Sequence, residues 1–287
     1  MPNEVIRQLK ERKSIRVFTD EPIHEDIIQE ILLAAVHAPT AGNQQLYTIL
    51  RITDPVKLEQ LAESCDHQPF IAQGKLVLVF CADCLKWFDA YRYAGCGPRT
   101  PGPGDFLIAA DDALIAAQNA VTAAQSFGIG SCYIGDIMEN YEIQRGILAL
   151  PEYVVPAALV VFGYPTEQQK QQAKPERTDL RYIVHENTYH RLNEEELRSA
   201  LGKQEHARSY DAWIRAFFAR KYDSGFAREI NRSAAVFRLR TLLWPERKIL
   251  FRGFLRLTLF SGTLPSNGHS YCSGMLQVLR LRWFRHI

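Results

Sequence analysis

Residues 105–130, "DFLIAADDALIAAQNAVTAAQSFGIG", decide the architecture. They read as one long Ala-rich helix over about 105–127, with apolar residues on nearly the whole circumference. A helix without a broad polar face needs cover on every side, in a core or at an interface between subunits. Gly128 is placed to end it as a C-cap. Working outward, "LYTILRITD" (46–54), "KLVLVFCAD" (75–83) and "PAALVVFGYP" (156–165) read as strands. "NEVIRQLKER" (3–12) and "HEDIIQEILLAAVHA" (24–38) read as helices, the second stopped by Pro39. "EEELRSALGKQ" and "YDAWIRAFFARKY" are later helices. Strands and helices follow no regular βαβ period and no repeat. The expectation is an α+β fold in one domain over residues 1–235.

Residues 236–287 stand apart. They hold nine Lys/Arg against Glu246 alone, which leaves 25 basic and 31 acidic residues in 1–235. The tail thus carries about +8 on a body of about −6, and its apolar residues keep no helical or strand period. It reads as an altered reading frame or an expression artefact lying outside the fold. Contact with a membrane surface or a partner is the functional alternative. The net charge of +2 gives no global case for nucleic acid. Six scattered cysteines and an N-terminus without an apolar signal region point to a reduced, cytoplasmic protein. No run approaches the roughly 18 apolar residues of a membrane span.

Several segments carry chemistry. Arg12-Lys13-Ser14-Ile15-Arg16 sets three cations and a hydroxyl where a helix gives way to "VF" and a turn. That is either a solvated charged face or a set of donors converging on a phosphate. In "APTAGNQQ" (38–45), turn chemistry explains Pro39 and Gly42. It does not require Asn43-Gln44-Gln45, whose amides suit a flat heterocycle rich in N and O. "FGIGSCYIGD" (127–136) has three glycines in eight residues, of which Gly130 and Gly135 would let backbone approach a ligand. It follows a helix rather than a strand, so it is no dinucleotide fingerprint. Lys174 and Arg177 lie beside prolines in "KPERTDLRYIVHENTY" (174–189). Cys81 and Cys84 form a CxxC without a second pair, and read as two ordinary cysteines rather than a zinc or redox site. The histidines show no ligand spacing, and His185 reads as structural. "YRYAGCGPRTPGPGD" (91–105) reads as a Gly/Pro-rich loop that either shapes an acceptor pocket through Tyr91, Tyr93 and Arg99 or is plain surface.

Taken together and in order, six pieces resemble the flavin-dependent nitroreductase / NAD(P)H–flavin oxidoreductase family. They are "RKSIRVFTDEPI", "HAPTAGNQQ", "HQPFIAQGKLVLVFCAD", "DALIAAQNAVTAAQSFGIGSCYIGDI", "VVFGYP" and "KPERTDLRYIVHENTY", and the likeness runs from about residue 3 to 233. The resemblance implies a central sheet surrounded by helices and an intertwined homodimer with FMN at two subunit-interface sites. NADPH or NADH would be the electron donor and a small planar molecule the acceptor: a nitroaromatic, a quinone or free flavin. Reduction of enones or halogenated aromatics, or flavin binding without turnover, are the alternatives. By resemblance Arg12 and Ser14, with Lys13 beside them, contact the phosphate, and Lys174 and Arg177 form its distal clamp. Arg16 matches the cation near the flavin N1/O2 edge. Thr40, Asn43 and Gln44 match the loop along the isoalloxazine, and Gln68 a ring-edge amide. Tyr133, Ile134 and Gly135 match the backbone facing flavin N5. No catalytic side chain is expected, because the flavin carries the chemistry. Arg215, Arg220 and Lys221 lean toward a 2′-phosphate, hence NADPH.

Overall fold

The computed structural model of the chain describes residues 3–202 and 209–235. The expectations for the 236–287 tail fall outside the described residues. The fold is α+β. Its centre is a four-stranded sheet in the order β1-β2-β4-β3, made of β1 (Tyr47–Arg51), β2 (Leu76–Asp83), β3 (Gly130–Ile134) and β4 (Val154–Gly163). Every neighbouring pair is antiparallel. Around it run α1 (Glu4–Glu11), α2 (Glu25–Val36), α3 (Pro55–Ser64), α4 (Phe70–Gln73), α5 (Leu85–Tyr93), α6 (Pro103–Ser126), α7 (Tyr141–Leu148), α8 (Glu167–Gln171), α9 (Glu194–Leu201) and α10 (Tyr210–Lys221).

Antiparallel strands usually keep one wet face, yet every residue of β2 is buried. The reason is a layer of helix on each side. Leu76, Leu78 and Phe80 point into a cluster with Ile31 and Ala35 of α2 and with the alanines of α6. Val77, Val79 and Cys81 point the other way, onto Leu61, Ile71, Ile137 and Leu148. This period of two divides a continuous apolar strand between two cores.

The composition of α6 follows from its place. Ala109, Ala113, Ala116, Ala117, Ala120 and Ala124 are fully buried, and small side chains let the helix lie close to the sheet. Its end is a Schellman motif: Ile129 N–H donates to Ala124 O at 3.0 Å and Gly128 N–H to Gln125 O at 3.0 Å, with Gly128 at φ 72°. Burial all round is not what the subunit shows. The outward face carries Leu107, Ile108, Leu114 and Ile115, which are 40–63% exposed.

Three further readings change. The stretch after Gly128, which the sequence left without a secondary structure, is the edge strand β3, too short to stand out as a period-two pattern. Tyr91 and Tyr93 close α5, and Pro103 opens α6, so the expected loop 91–105 shrinks to 94–102. Gly130 makes room for Ile15: a Cβ there would lie 2.5 Å from Ile15 Cγ1.

That last contact sets the segment after α1. Ile15 N–H donates to Ser131 O at 3.0 Å, and Thr19 N–H to Tyr164 O at 2.8 Å. Ile15 presses on Gly130 and Phe18 on Gly163, where a Cβ would fall 2.7 Å from the Phe18 ring. The segment therefore crosses the ends of β3 and β4 in extended form. At the far end of the described chain, helical residues 225–235 lie on the start of α7. Asn140 N–H donates to Glu229 Oε1 at 3.1 Å and Tyr141 N–H to Ser233 Oγ at 3.1 Å.

Candidate functional site

Pinning Ile15 inward turns Arg12, Ser14 and Arg16 to one side and Lys13 to the other, since an extended chain alternates. The three meet at Cys132 of β3. Burial pushes that thiol up, while the charge of Arg16, a hydrogen bond from Ser14, the charge of Arg12 and a hydrogen bond from Arg16 oppose it. Lys174 stands next to this group. Burial holds its ammonium below the ordinary lysine range, and repulsion from Arg177 and Arg12 lowers it further. Lys174 thus sits near two like charges, an arrangement that an anion beside it would relieve.

Some of these cations have partners already. Lys174 Nζ donates to Lys10 O at the end of α1, and Arg177 Nη1 to Pro175 O at 3.2 Å. Lys13 Nζ donates to Lys170 O at 2.7 Å and to Gln172 O, satisfying carbonyls at the end of α8. Lys13, Ile15 and Gly130 border a cleft of about 570 Å³, together with Lys10, Lys170 and Lys174. Lys13 holds α8 to this arm.

From the cation cluster the site continues along β3. The Arg12 guanidinium lies over the Tyr133 ring, 6.0 Å from its centroid. Burial pushes the Tyr133 phenol up to about 12 against the pull of Arg12, and its hydroxyl donates to Gln118 Oε1 of α6 at 3.4 Å. Ile134 is buried in the core. Gly135 follows at φ −78°, and a Cβ built on it meets nothing within 4 Å. The backbone there faces open space, as a site for a flat ligand requires. Gln68 lies beside this end: its Nε2 donates to Cys65 O at 2.7 Å and to Asp136 Oδ2 at 3.1 Å. Both amide hydrogens are engaged, so the group has its Oε1 left to offer.

The loop after α2 is built separately. Thr40 is extended and its Oγ1 accepts Gln45 N–H at 3.0 Å. Gly42, Asn43 and Gln45 are left-handed, at φ 58°, 59° and 51°. Buried Asp112 of α6 accepts Ala41 N–H at 3.0 Å and Leu46 N–H at 3.1 Å. From α5, Trp87 Nε1 donates to Gln44 O at 2.8 Å, and Lys86 Nζ to Gln45 O at 3.0 Å and Tyr47 O at 2.6 Å. Among the described residues no hydrogen bond joins this loop to Arg12–Arg16, Gln68 or Tyr133–Gly135. Asp112, Trp87 and Asp136 were not singled out from sequence. Only Asp112 left a trace there, as half of an acidic pair inside an otherwise apolar helix.

The sequence matches the profile of the Nitroreductase family over residues 9–164, more than half the chain. The chain belongs to the nitroreductase family. The match spans the arm after α1, the loop after α2, α6 and β3, but ends before Lys174 and Arg177. The chain is 31% identical over 239 residues to FMN reductase [NAD(P)H] of Bacillus subtilis (strain 168), covering 81% of this chain and 90% of that one. To NADPH-flavin oxidoreductase of Vibrio harveyi it is 31% identical over 221 residues, 76% and 83% of the two chains. The structure of NADPH:FMN oxidoreductase from Vibrio harveyi complexed with NAD+ superposes with a TM-score of 0.68 at 27% identity. It covers 80% of this chain and 98% of that one.

Other chemistries find no footing. Cys81 and Cys84 are free and buried, each pushed up to about 12 chiefly by burial, which suits neither thiolate catalysis nor a redox pair. His185 Nδ1 accepts His190 N–H at 3.0 Å, a local structural contact. No group of three metal-binding side chains occurs among the described residues. No described helix is long and apolar enough to cross a membrane.

Proposed function

We propose that this chain is an NAD(P)H-dependent FMN oxidoreductase of the nitroreductase type, working as a homodimer. The observation that carries the reading is the crowding of Arg12, Lys174 and Arg177, which asks for an anion, next to the open backbone at Gly135. The activities of the Bacillus and Vibrio relatives agree with it. Arg12, Ser14, Lys174 and Arg177 would hold the terminal phosphate by charge-assisted hydrogen bonds. Arg16 would place a positive charge at the N1/O2 edge, favouring the reduced cofactor. Gln68 would accept from the ring imide through Oε1. Tyr133, Ile134 and Gly135 would keep the N5 side accessible. FMN, when bound, would supply the hydride chemistry between NADPH or NADH and a planar acceptor.

Homodimer formation accounts for two features of the subunit. The outward face of α6 leaves Leu107, Ile108, Leu114 and Ile115 in water, the kind of surface a second copy would cover. The loop carrying Thr40, Asn43 and Gln44 then lines the ring held by the other subunit's arm. For the acceptor we infer a nitroaromatic, a quinone or free flavin, and NADPH as the donor. Arg215, Arg220 and Lys221 on α10 are exposed and able to meet a 2′-phosphate.

The test is direct. The purified protein should be yellow, release FMN on denaturation at one per subunit, and bleach within seconds of anaerobic NADPH addition. Turnover on a nitroaromatic, a quinone and an enone then orders the acceptors. A colourless protein that takes up no added FMN would end this reading.

A further inference from the structure

Asp112 stands where α6 otherwise places alanine against the core. It is 3% exposed, and no cation pairs with it among the described residues. A buried carboxylate without such a partner is costly unless hydrogen bonds replace its water. Here the bonds come from the backbone of one loop, at its two ends: Ala41 N–H on Oδ1 and Leu46 N–H on Oδ2. Between those two amides lie Gly42, Asn43 and Gln45 in left-handed conformations, a backbone that only surrounding structure keeps in place. The other side of the loop is tied to α5 by Trp87 and Lys86.

We infer that Asp112 is a positioning residue. Its carboxylate staples both ends of the 41–46 loop and so sets the geometry in which Asn43 and Gln44 meet the flavin ring. An alanine would fill the same place in α6 at no desolvation cost, so packing alone does not account for the carboxylate. The inference rests on the flavin reading above for what the loop meets, though not for the staple itself.

Two variants weaken the same staple from opposite sides. Asp112→Asn keeps the volume but leaves only one acceptor for two N–H groups. Ala41→Pro removes one of those N–H groups without touching the core, and the extended Thr40 before it suits a following proline. In the purified flavoprotein each single variant should weaken FMN binding at least tenfold and alter the visible spectrum of the flavin that remains. The double variant should be no weaker than the worse single one, because both lose one interaction. The thermal midpoint of the flavin-free protein should move by only a few degrees. FMN affinity within twofold of wild type in both singles, or losses that add in the double, would overturn the inference. If Asp112→Asn does not fold, Ala41→Pro decides alone. Amide exchange at Leu46 separates this from the flavin reading: Asp112→Asn should accelerate it at least tenfold even in protein that never binds FMN. Unchanged exchange would remove the staple, whereas a wild type that binds no FMN would remove only the flavin reading.

Discussion

The Arg12 guanidinium lies over the ring of Tyr133, its central carbon 6.0 Å from the ring centroid. One residue ends α1 and the other belongs to β3, and the contact holds a cation at the edge of the backbone that runs on to Gly135. The charge is not neutralised there, since the face of a ring attracts a cation without carrying a net charge. Lys174 stands nearby, between the charges of Arg12 and Arg177.

Removing Arg12 should loosen the phosphate. Arg12→Ala is expected to cost about 1.5–3 kcal/mol of FMN affinity, the scale of a hydrogen bond to a charged group, or roughly 10- to 150-fold in dissociation constant. Fluorescence titration of the flavin-free protein reads it. An unchanged constant would remove Arg12 from the phosphate site.

Arg16 should act on the potential instead. Arg16→Ala is expected to leave most of the affinity and to lower the two-electron midpoint by several tens of millivolts, about 30 mV corresponding to roughly 1.4 kcal/mol. A spectroelectrochemical titration measures it. An unmoved potential with lost binding would mean that Arg12 and Arg16 have exchanged roles.

Two glycines should separate packing from function. Gly130→Ala drives a Cβ to 2.5 Å from Ile15 and should destabilise the protein by about 1–3 kcal/mol, the range for overpacking. Gly135→Ala meets nothing within 4 Å and should change stability by less than about 0.5 kcal/mol, while its methyl group intrudes on the flavin and weakens binding. Urea denaturation of the flavin-free variants, beside their FMN affinities, tests both halves.

Alkaline pH should destabilise the fold through its thiols. Burial pushes Cys65, Cys81 and Cys84 from an ordinary 9.0 up to about 12. Below pH 9 both states hold these protons and the full stability is present. Between about 9 and 12 only the unfolded chain loses them, so stability falls as pH rises, by up to about 1.4 kcal/mol per unit for each thiol. Cys81→Ala should flatten that slope in urea midpoints taken from pH 8 to 11. An identical slope would show that Cys81 does not contribute.

Chain length should matter at a defined place. Glu229 and Ser233 accept the first N–H groups of α7, and Arg232 pairs with Glu142 at 2.8 Å. A chain ending at 235 should keep its FMN, its dimer and NADPH oxidation, and should be more soluble. One ending at 223 should lose several degrees of thermal midpoint. Loss of flavin already at 235 would give the tail a part in the fold.

The identity of the six family segments was legible without coordinates, because each needs particular residue types: cations and a hydroxyl at 12–16, amides at 43–45, glycines at 128–135. Local rules also sufficed for α2, α6 and three strands, where period and caps lie within one stretch of chain. The sequence alone could not reveal that β3 is a strand, since its register comes from pairing with β4. Nor could it tell that Gly130 makes room for Ile15, a fact of close approach between distant segments. The same holds for α6, whose two apolar faces look alike until the sheet claims the alanines and leaves Leu107, Ile108, Leu114 and Ile115 outside. Asp112 shows the division most plainly. Its chemistry is visible in one letter, but what it holds depended on which backbone amides the tertiary structure brought within 3.1 Å of it.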